Sequence, residues 1–276
     1  MAVKIVPVPR PTPPEPGARR AAIDTLAQAL TAAAARGGRA LAASDGSVAG
    51  RRQRLKRAGW AVAVQLPDVP PAVASGAVAS LDTSSAMAER EAAKVLLQAA
   101  VRAQVRFDVY IDNKGVQQGL AEALRGCPRP QAYGFGDWDE IARLAQQLPD
   151  GCAAHWVPSH GKRANDWAPA TDHTSAVVRA LNQVADEACG AESQALHERL
   201  SSRDVETHAA ADSAMSAGMR RLAEGEQWVI EDFMPRDVDP DMGLRRQRRA
   251  PGRGGGPSSI CRGCRGRPGG RRVGGQ

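Results

Sequence analysis

Between residues 39 and 200 the apolar pattern changes near residue 83, from short strand-like runs to helices interspersed with strands. Before that point lie three short runs, "RALAASDGSV", "GWAVAVQLP" and "AVASGAVASLD", separated by breakers such as "PDVPP". Short strand-like runs joined by turns predict an antiparallel meander. After it, "TSSAMAEREAAKVLLQAAVRAQ" is built of helix formers, with Ser84 or Ser85 as the expected cap. "RFDVYIDN" reads as a strand ending on Asp112. "GVQQGLAEALRG" reads as a short helix stopped by Gly126 and Pro128, and "DWDEIARLAQQLPDG" as another, with Asp137 as its cap. "AAHWVPSHGK" is a strand entering a loop, and residues 174–204 form a long amphipathic helix. The order βββαβααβα predicts an α/β layering with both antiparallel and parallel strand pairs.

Aromatic residues make up only 4 % of the chain, so the core must come from Ala, Val, Leu and Ile. The flanks differ from this middle. Residues 1–20 are Pro-rich and read as an extended linker. Residues 21–37 are Ala-rich and form a helix ending at Gly37-Gly38, with no partner evident in the sequence. Residues 245–276 carry ten Arg and no acidic residue, so the net charge of +7 belongs to this tail and the rest is slightly acidic. The expected organisation is a Pro/Ala-rich segment over 1–38, an α/β domain over 39–204, and a C-terminal extension over 205–276 with a disordered Arg/Gly-rich tail.

No apolar run reaches the roughly 18 residues of a membrane span, and the N-terminus shows no apolar core of a signal peptide. Five Cys without a disulfide framework suit a reducing, intracellular location, in cytoplasm or nucleus. Cys261 and Cys264 have zinc-ligand spacing, but no second pair lies near in sequence, so a chance pair is the simpler reading.

Four acidic residues hold positions that a fold could gather. Asp45 is expected at the end of the first strand, Glu89 in the first turns of the next helix, Asp112 at the end of the fourth strand, and Asp186 within the last helix. Carboxylates at close quarters repel one another unless a cation offsets them. Hard oxygen donors suit Mg²⁺ or Mn²⁺. Two such ions roughly 4 Å apart can promote hydrolysis of a phosphodiester without a Cys or Ser nucleophile. Alone, each residue has an ordinary explanation: a turn for Asp-Gly-Ser, a helix dipole for Glu89, a solvated face for Asp186. His155 and His173 read as surface or structural residues.

Over about residues 39–200 the chain resembles a type 1 ribonuclease H domain, in particular the retroelement forms. The resemblance rests on "SDGS" at 44–47, "AEREAAKVLLQA" at 88–99, "VYIDNKGVQQGL" at 109–120, and "HWVPSHGK" with "NQVADEA". It implies a ribonuclease H-like fold: a five-stranded mixed sheet, antiparallel through its first three strands and parallel at the fourth and fifth, flanked by helices. It implies that Asp45, Glu89, Asp112 and Asp186 hold two Mg²⁺ ions, with Mn²⁺ possible, and that Asp45 bridges them. Glu91 is the rival to Glu89, but alignment of the "AAKVLL" stripe favours Glu89. His160 matches a mobile histidine that assists the attacking water or product release. Asn113 stands where the family often has Ser, and Asn182 lies four residues before Asp186 as in the family. His160 and Asp186 are 26 positions apart, so "RANDWAPATDHTS" looks like an insertion.

The resemblance implies cleavage of the RNA strand of an RNA–DNA hybrid, leaving a 5′-phosphate and a 3′-hydroxyl. Ser47, Asn113 and Asn182 are expected at the nucleic acid, with Arg51, Arg52 and Arg54 of the basic "RRQRLKR" run beside the site. The chain is expected to act as a monomeric domain, with any reverse transcriptase a separate protein or a lost part of a longer element. The alternatives are an inactive hybrid-binding module left from a mobile element, and a DNA-cleaving relative of the same fold.

Overall fold

The computed structural model describes residues 16–50, 55–79, 83–127, 135–158, 167–203 and scattered positions between 205 and 220. All elements named below lie in one compact unit, Pro7–Val205. They are α1 (Pro16–Gly37), β1 (Arg39–Ala49), β2 (Arg57–Val64), β3 (Ala72–Ala77), α2 (Ser85–Ala103), β4 (Arg106–Ile111), α3 (Lys114–Leu124), α4 (Phe135–Ala145), β5 (Ala153–Trp156) and α5 (Ser175–Glu198). One five-stranded sheet runs in the order β3-β2-β1-β4-β5. β1 pairs antiparallel with β2, and β2 with β3; β1 pairs parallel with β4, and β4 with β5. This is the mixed, helix-flanked sheet expected from the order of elements.

Both faces of the sheet are covered, which is why the strands alternate so weakly in sequence. One face carries Ala42, Val62, Phe107 and Val109 and packs against α1, α2, α3 and α4. The other carries Leu41, Ala43, Ala63 and Tyr110 and packs against Val178, Leu181 and Ala185 of α5. Small strand residues let the helix backbones come close. A Cβ on Gly59 would lie 2.8 Å from the Cys189 carbonyl oxygen, so α5 sits directly on β2.

The Ala-rich α1 finds its partner in α2. Leu26 and Leu30 are fully buried in the core, and Arg19 and Arg102 pair with Glu91 and Asp24 across the two helices. Ser84, not Ser85, caps α2: its Oγ accepts from the Met87 N–H at 3.2 Å. Asp137, expected as the cap of α4, instead lies within the first turn. Its carboxylate takes Arg90 at 3.0 Å and Lys94 at 2.9 Å, because α2 presents two cations to it.

A polar cluster forms near the N-terminal ends of β1 and β4. Asp108, buried on β4, accepts from Arg39 Nε at 2.7 Å and Arg39 Nη2 at 2.5 Å, and pairs with His155 Nε2 at 3.0 Å. Burial alone would raise the Asp108 carboxyl, but the bonds from His155 and Arg39 and the guanidinium charge overcome it and hold it at about 2. A depressed folded value adds stability above the unfolded pKa of about 4, and that stability is lost as pH falls toward 2. Asp108→Asn is therefore expected to cost about 2 kcal/mol at neutral pH. Denaturant melts should show the gap between variant and parent closing as pH falls below about 4; a gap that stays constant with pH would count against the ion pair.

Candidate metal centre

Asp45 lies within β1, not at its end. The strand continues through Ala49, with Gly46 opposite Trp60 and Ser47 opposite Gly59 of β2. Gly46-Ser47 is therefore not the turn expected from the sequence; continued pairing with β2 overrides the local turn signal. The reason for a glycine at 46 is packing. A Cβ there would lie 2.3 Å from the Glu89 backbone nitrogen and 2.5 Å from the Ala88 carbonyl carbon. The bare backbone of β1 lets the first turns of α2 sit against it, and this brings Glu89 to Asp45.

Asp112 follows the last residue of β4 and enters α3. Two neighbours fix that corner. The Trp156 indole N–H donates to the Asp112 carbonyl at 2.9 Å, and Asn113 caps α3, its Oδ1 accepting from Gly115 N at 2.9 Å and Val116 N at 3.2 Å. The Asn113 amide also donates to Glu89 Oε1 at 3.1 Å, tying the corner to α2. One ligand oxygen from each of Asp45, Glu89 and Asp112 lies within 4.8 Å of the other two. Asp186 of α5 approaches from the other side of Asp45: Asp45, Asp186 and Cys189 form a second group with donor atoms within the same 4.8 Å. Asp45 belongs to both groups.

The electrostatics follow from this crowding. Burial, and then the charges of Asp112 and Asp186, push Asp45 up to about 7. Burial, with Asp112 and Asp45, pushes Glu89 up to about 9. Burial, and then the charges of Asp45 and Asp186, raise the Cys189 thiol. Asp45 and Glu89 are 6 % and 4 % exposed, and Glu89 Oε2 has no hydrogen-bond partner among the described residues. A buried acceptor without a donor is costly in a protein interior. A divalent cation would supply the missing partner and offset the repulsion, and three hard oxygens suit Mg²⁺ or Mn²⁺. The residues present fit such an ion.

Glu91, the rival to Glu89, is turned elsewhere and pairs with Arg19 and, at 2.6 Å, with Lys94. Ser47 lines the same pocket as the carboxylates, together with Lys56 and Thr83, Ser84 and Ser85. Asn182 sits one turn before Asp186 on α5, 7 % exposed. His160 and Arg51, Arg52 and Arg54 lie outside the described residues, as do Cys261 and Cys264. His155, expected to be structural, pairs with Asp108 and stacks on Tyr110 at 5.1 Å between ring centroids. Reading the sequence for carboxylates missed Cys189 and Thr83, whereas Lys56 belongs to the basic run expected beside the site and Trp156 to the quoted "HWVPSHGK" motif. The signal for Cys189 was its i, i+3 spacing from Asp186, which puts both on one helix face.

No helix of the described residues is long and apolar enough to cross a membrane. No family profile matches the chain, and no curated protein matches it. Among solved structures, the chain is similar to the N-terminal RNase H domain of a Mycobacterium tuberculosis protein, solved as a fusion with maltose-binding protein. That match has 20 % identity over 58 % of this chain and 96 % of the other, with a TM-score of 0.41. It is also similar to the RNase H domain of PFV, at 17 % identity over 56 % and 94 % with a TM-score of 0.42. RNase H1 of the halophilic archaeon Halobacterium salinarum matches at 17 % identity over 55 % and 96 %, with a TM-score of 0.38.

Proposed function

We propose that this chain is a divalent-metal-dependent endonuclease that hydrolyses the RNA strand of RNA–DNA hybrids. The observation that carries the reading is the convergence of Asp45, Glu89 and Asp112 within 4.8 Å, from a strand, a helix and a strand end, with Asp186 on the far side of Asp45. In this reading Asp45, Glu89, Asp112 and Asp186 hold two Mg²⁺ or Mn²⁺ ions, and Asp45 is shared. When bound, the ions supply positive charge against the charge that builds on the phosphate as water attacks.

The chain's own groups do the rest. With Asp45 and Glu89 held above the ordinary carboxylate range, cation binding displaces protons that these groups otherwise keep. Lys56 and Ser47 line the pocket, where a cation and a hydroxyl donor suit phosphate oxygens. His160 takes the role that the resemblance implies, assisting the water or the departure of product. Hybrid recognition would rest on minor-groove shape and the 2′-hydroxyl, not on base sequence. The catalytic domain is assigned to residues 39–204, of retroelement type and acting as a monomer, with α1 packed against it through α2 and 205–276 as its C-terminal flank.

Substrate choice is the test. Matched hybrid, duplex DNA, duplex RNA and single-stranded RNA, each end-labelled, are incubated with the full chain and Mg²⁺. The expected result is cutting of the RNA strand of the hybrid alone, with 3′-hydroxyl ends. Preferential cutting of duplex DNA would instead identify a DNA-cleaving enzyme and overturn the substrate assignment.

A further inference from the structure

One donor in this region does not belong to an all-oxygen centre. Cys189 Sγ lies within 4.8 Å of a carboxylate oxygen of both Asp45 and Asp186, and Cys189 is fully buried. Its placement follows from the fold. Gly59 allows the α5 backbone to sit on β2 at Cys189, and the three-residue spacing from Asp186 turns both side chains toward β1. The thiol donates to the Asp186 carbonyl at 3.2 Å, which holds the sulfur beside the Asp186 side chain.

We propose that Cys189, Asp45 and Asp186 form a site for a thiophilic divalent cation of the zinc class, overlapping the oxygen-ligated centre at Asp45. Two further observations point to a ligand here. Asn182, one turn before Asp186 on the same stripe of α5, is 7 % exposed, and its Oδ1 has no partner among the described residues. On the opposite side of Asp45, Glu89 Oε2 is likewise buried without a partner among them. Asn182 Oδ1 is thus a buried acceptor without a donor among the described residues, on the helix that carries Asp186 and Cys189.

The chemistry distinguishes this site from that of Mg²⁺. A thiolate with two carboxylates is a poor ligand set for Mg²⁺ and a good one for Zn²⁺, Co²⁺ or Cd²⁺. At metal–sulfur and metal–oxygen bonds of about 2.3 and 2.1 Å, tetrahedral donors sit roughly 3.5 Å apart, within small side-chain rotations of the observed group. Three protein ligands leave a fourth position for water or a phosphate oxygen. On binding, the S–H bond breaks, its proton passes to solvent, and the sulfur lone pair forms the metal–sulfur bond. A cation seated there draws Asp45 and Asp186 away from the oxygen-ligated ions, so zinc-class ions would compete with Mg²⁺ and inhibit.

The proposal deepens the cation reading of the centre and rests on that reading, not on hydrolysis. The test uses the full chain carrying Cys261→Ser and Cys264→Ser, which removes the other closely spaced thiols, titrated with Co²⁺. The expected result is a near-ultraviolet sulfur-to-cobalt charge-transfer band that survives excess Mg²⁺ and disappears in Cys189→Ser. Because serine at 189 could disturb α5, Asp186→Asn provides a second readout. With the thiol intact, it should weaken Co²⁺ binding at least about tenfold. Co²⁺ binding without the sulfur band, or a band that persists in Cys189→Ser, would overturn the thiolate site while leaving the carboxylate centre standing. Absence of any Co²⁺ binding would overturn both.

Discussion

Asp45→Asn is expected to abolish hydrolysis of an RNA–DNA hybrid, by at least about a thousandfold, while hybrid binding persists. The size of the effect follows from position. Asp45 is the one residue common to both donor groups, so no other single change weakens both at once. Asparagine keeps the bulk but removes the charge and one strong oxygen donor.

The same variant has an opposite effect on stability. Asp45 and Glu89 stand at about 7 and about 9 in the fold. A carboxyl raised on folding contributes stability at low pH and loses it as pH rises through its folded value. Without divalent cations, the parent protein should lose stability from about pH 4, the unfolded range, up through about 7 and then about 9. Asp45→Asn removes its share of that repulsion. In EDTA at alkaline pH the variant should melt a few degrees above the parent, and Mg²⁺ should raise the Tm of the parent far more than that of the variant. A variant that melts below the parent in EDTA would mean that Asp45 is held by a cationic partner and not by repelling neighbours.

Gly46→Ala is expected to be the most damaging glycine-to-alanine change among the described residues. The new Cβ would meet the Glu89 nitrogen at 2.3 Å, the Ala88 carbonyl carbon at 2.5 Å and the Ala88 Cβ at 2.6 Å. Two of these are backbone atoms of α2, so relief requires moving the helix and not a side chain. Overpacking a core typically costs about 1–3 kcal/mol, and a rigid backbone neighbour sets the upper end. The change should also separate Glu89 from Asp45. At low temperature, where folded protein remains, Mg²⁺-dependent activity should fall further than the folded fraction seen by circular dichroism. Equal loss of both would make Gly46 a residue of stability alone.

The sequence carries the strand and helix order because that order is a matter of period. It also carries the choice of Glu89 over Glu91. Glu89 shares a helix face with Ala92, Ala93 and Leu96, which are buried, whereas Glu91 shares one with Lys94. The extent of β1 was not legible. "SDGSV" contains the residues of a turn, and only the pairing with β2, from Gly46 opposite Trp60 to Ala49 opposite Arg57, shows that the strand continues. The Arg39–Asp108 pair was equally hidden, because its members lie 69 positions apart and neither has a local motif. The same holds for α1, whose Ala-rich sequence names no partner. Cys189 was passed over because a lone thiol in a helix reads as core until the strand beneath it is known.

The most direct measurement is cleavage of an RNA–DNA hybrid, labelled on its RNA strand, by the full chain with Mg²⁺ and with EDTA. The expected result is fragments with 3′-hydroxyl ends in Mg²⁺ and intact RNA in EDTA, with the hybrid bound in both. Binding without cleavage in either condition would contradict the catalytic reading and leave a hybrid-binding module in its place.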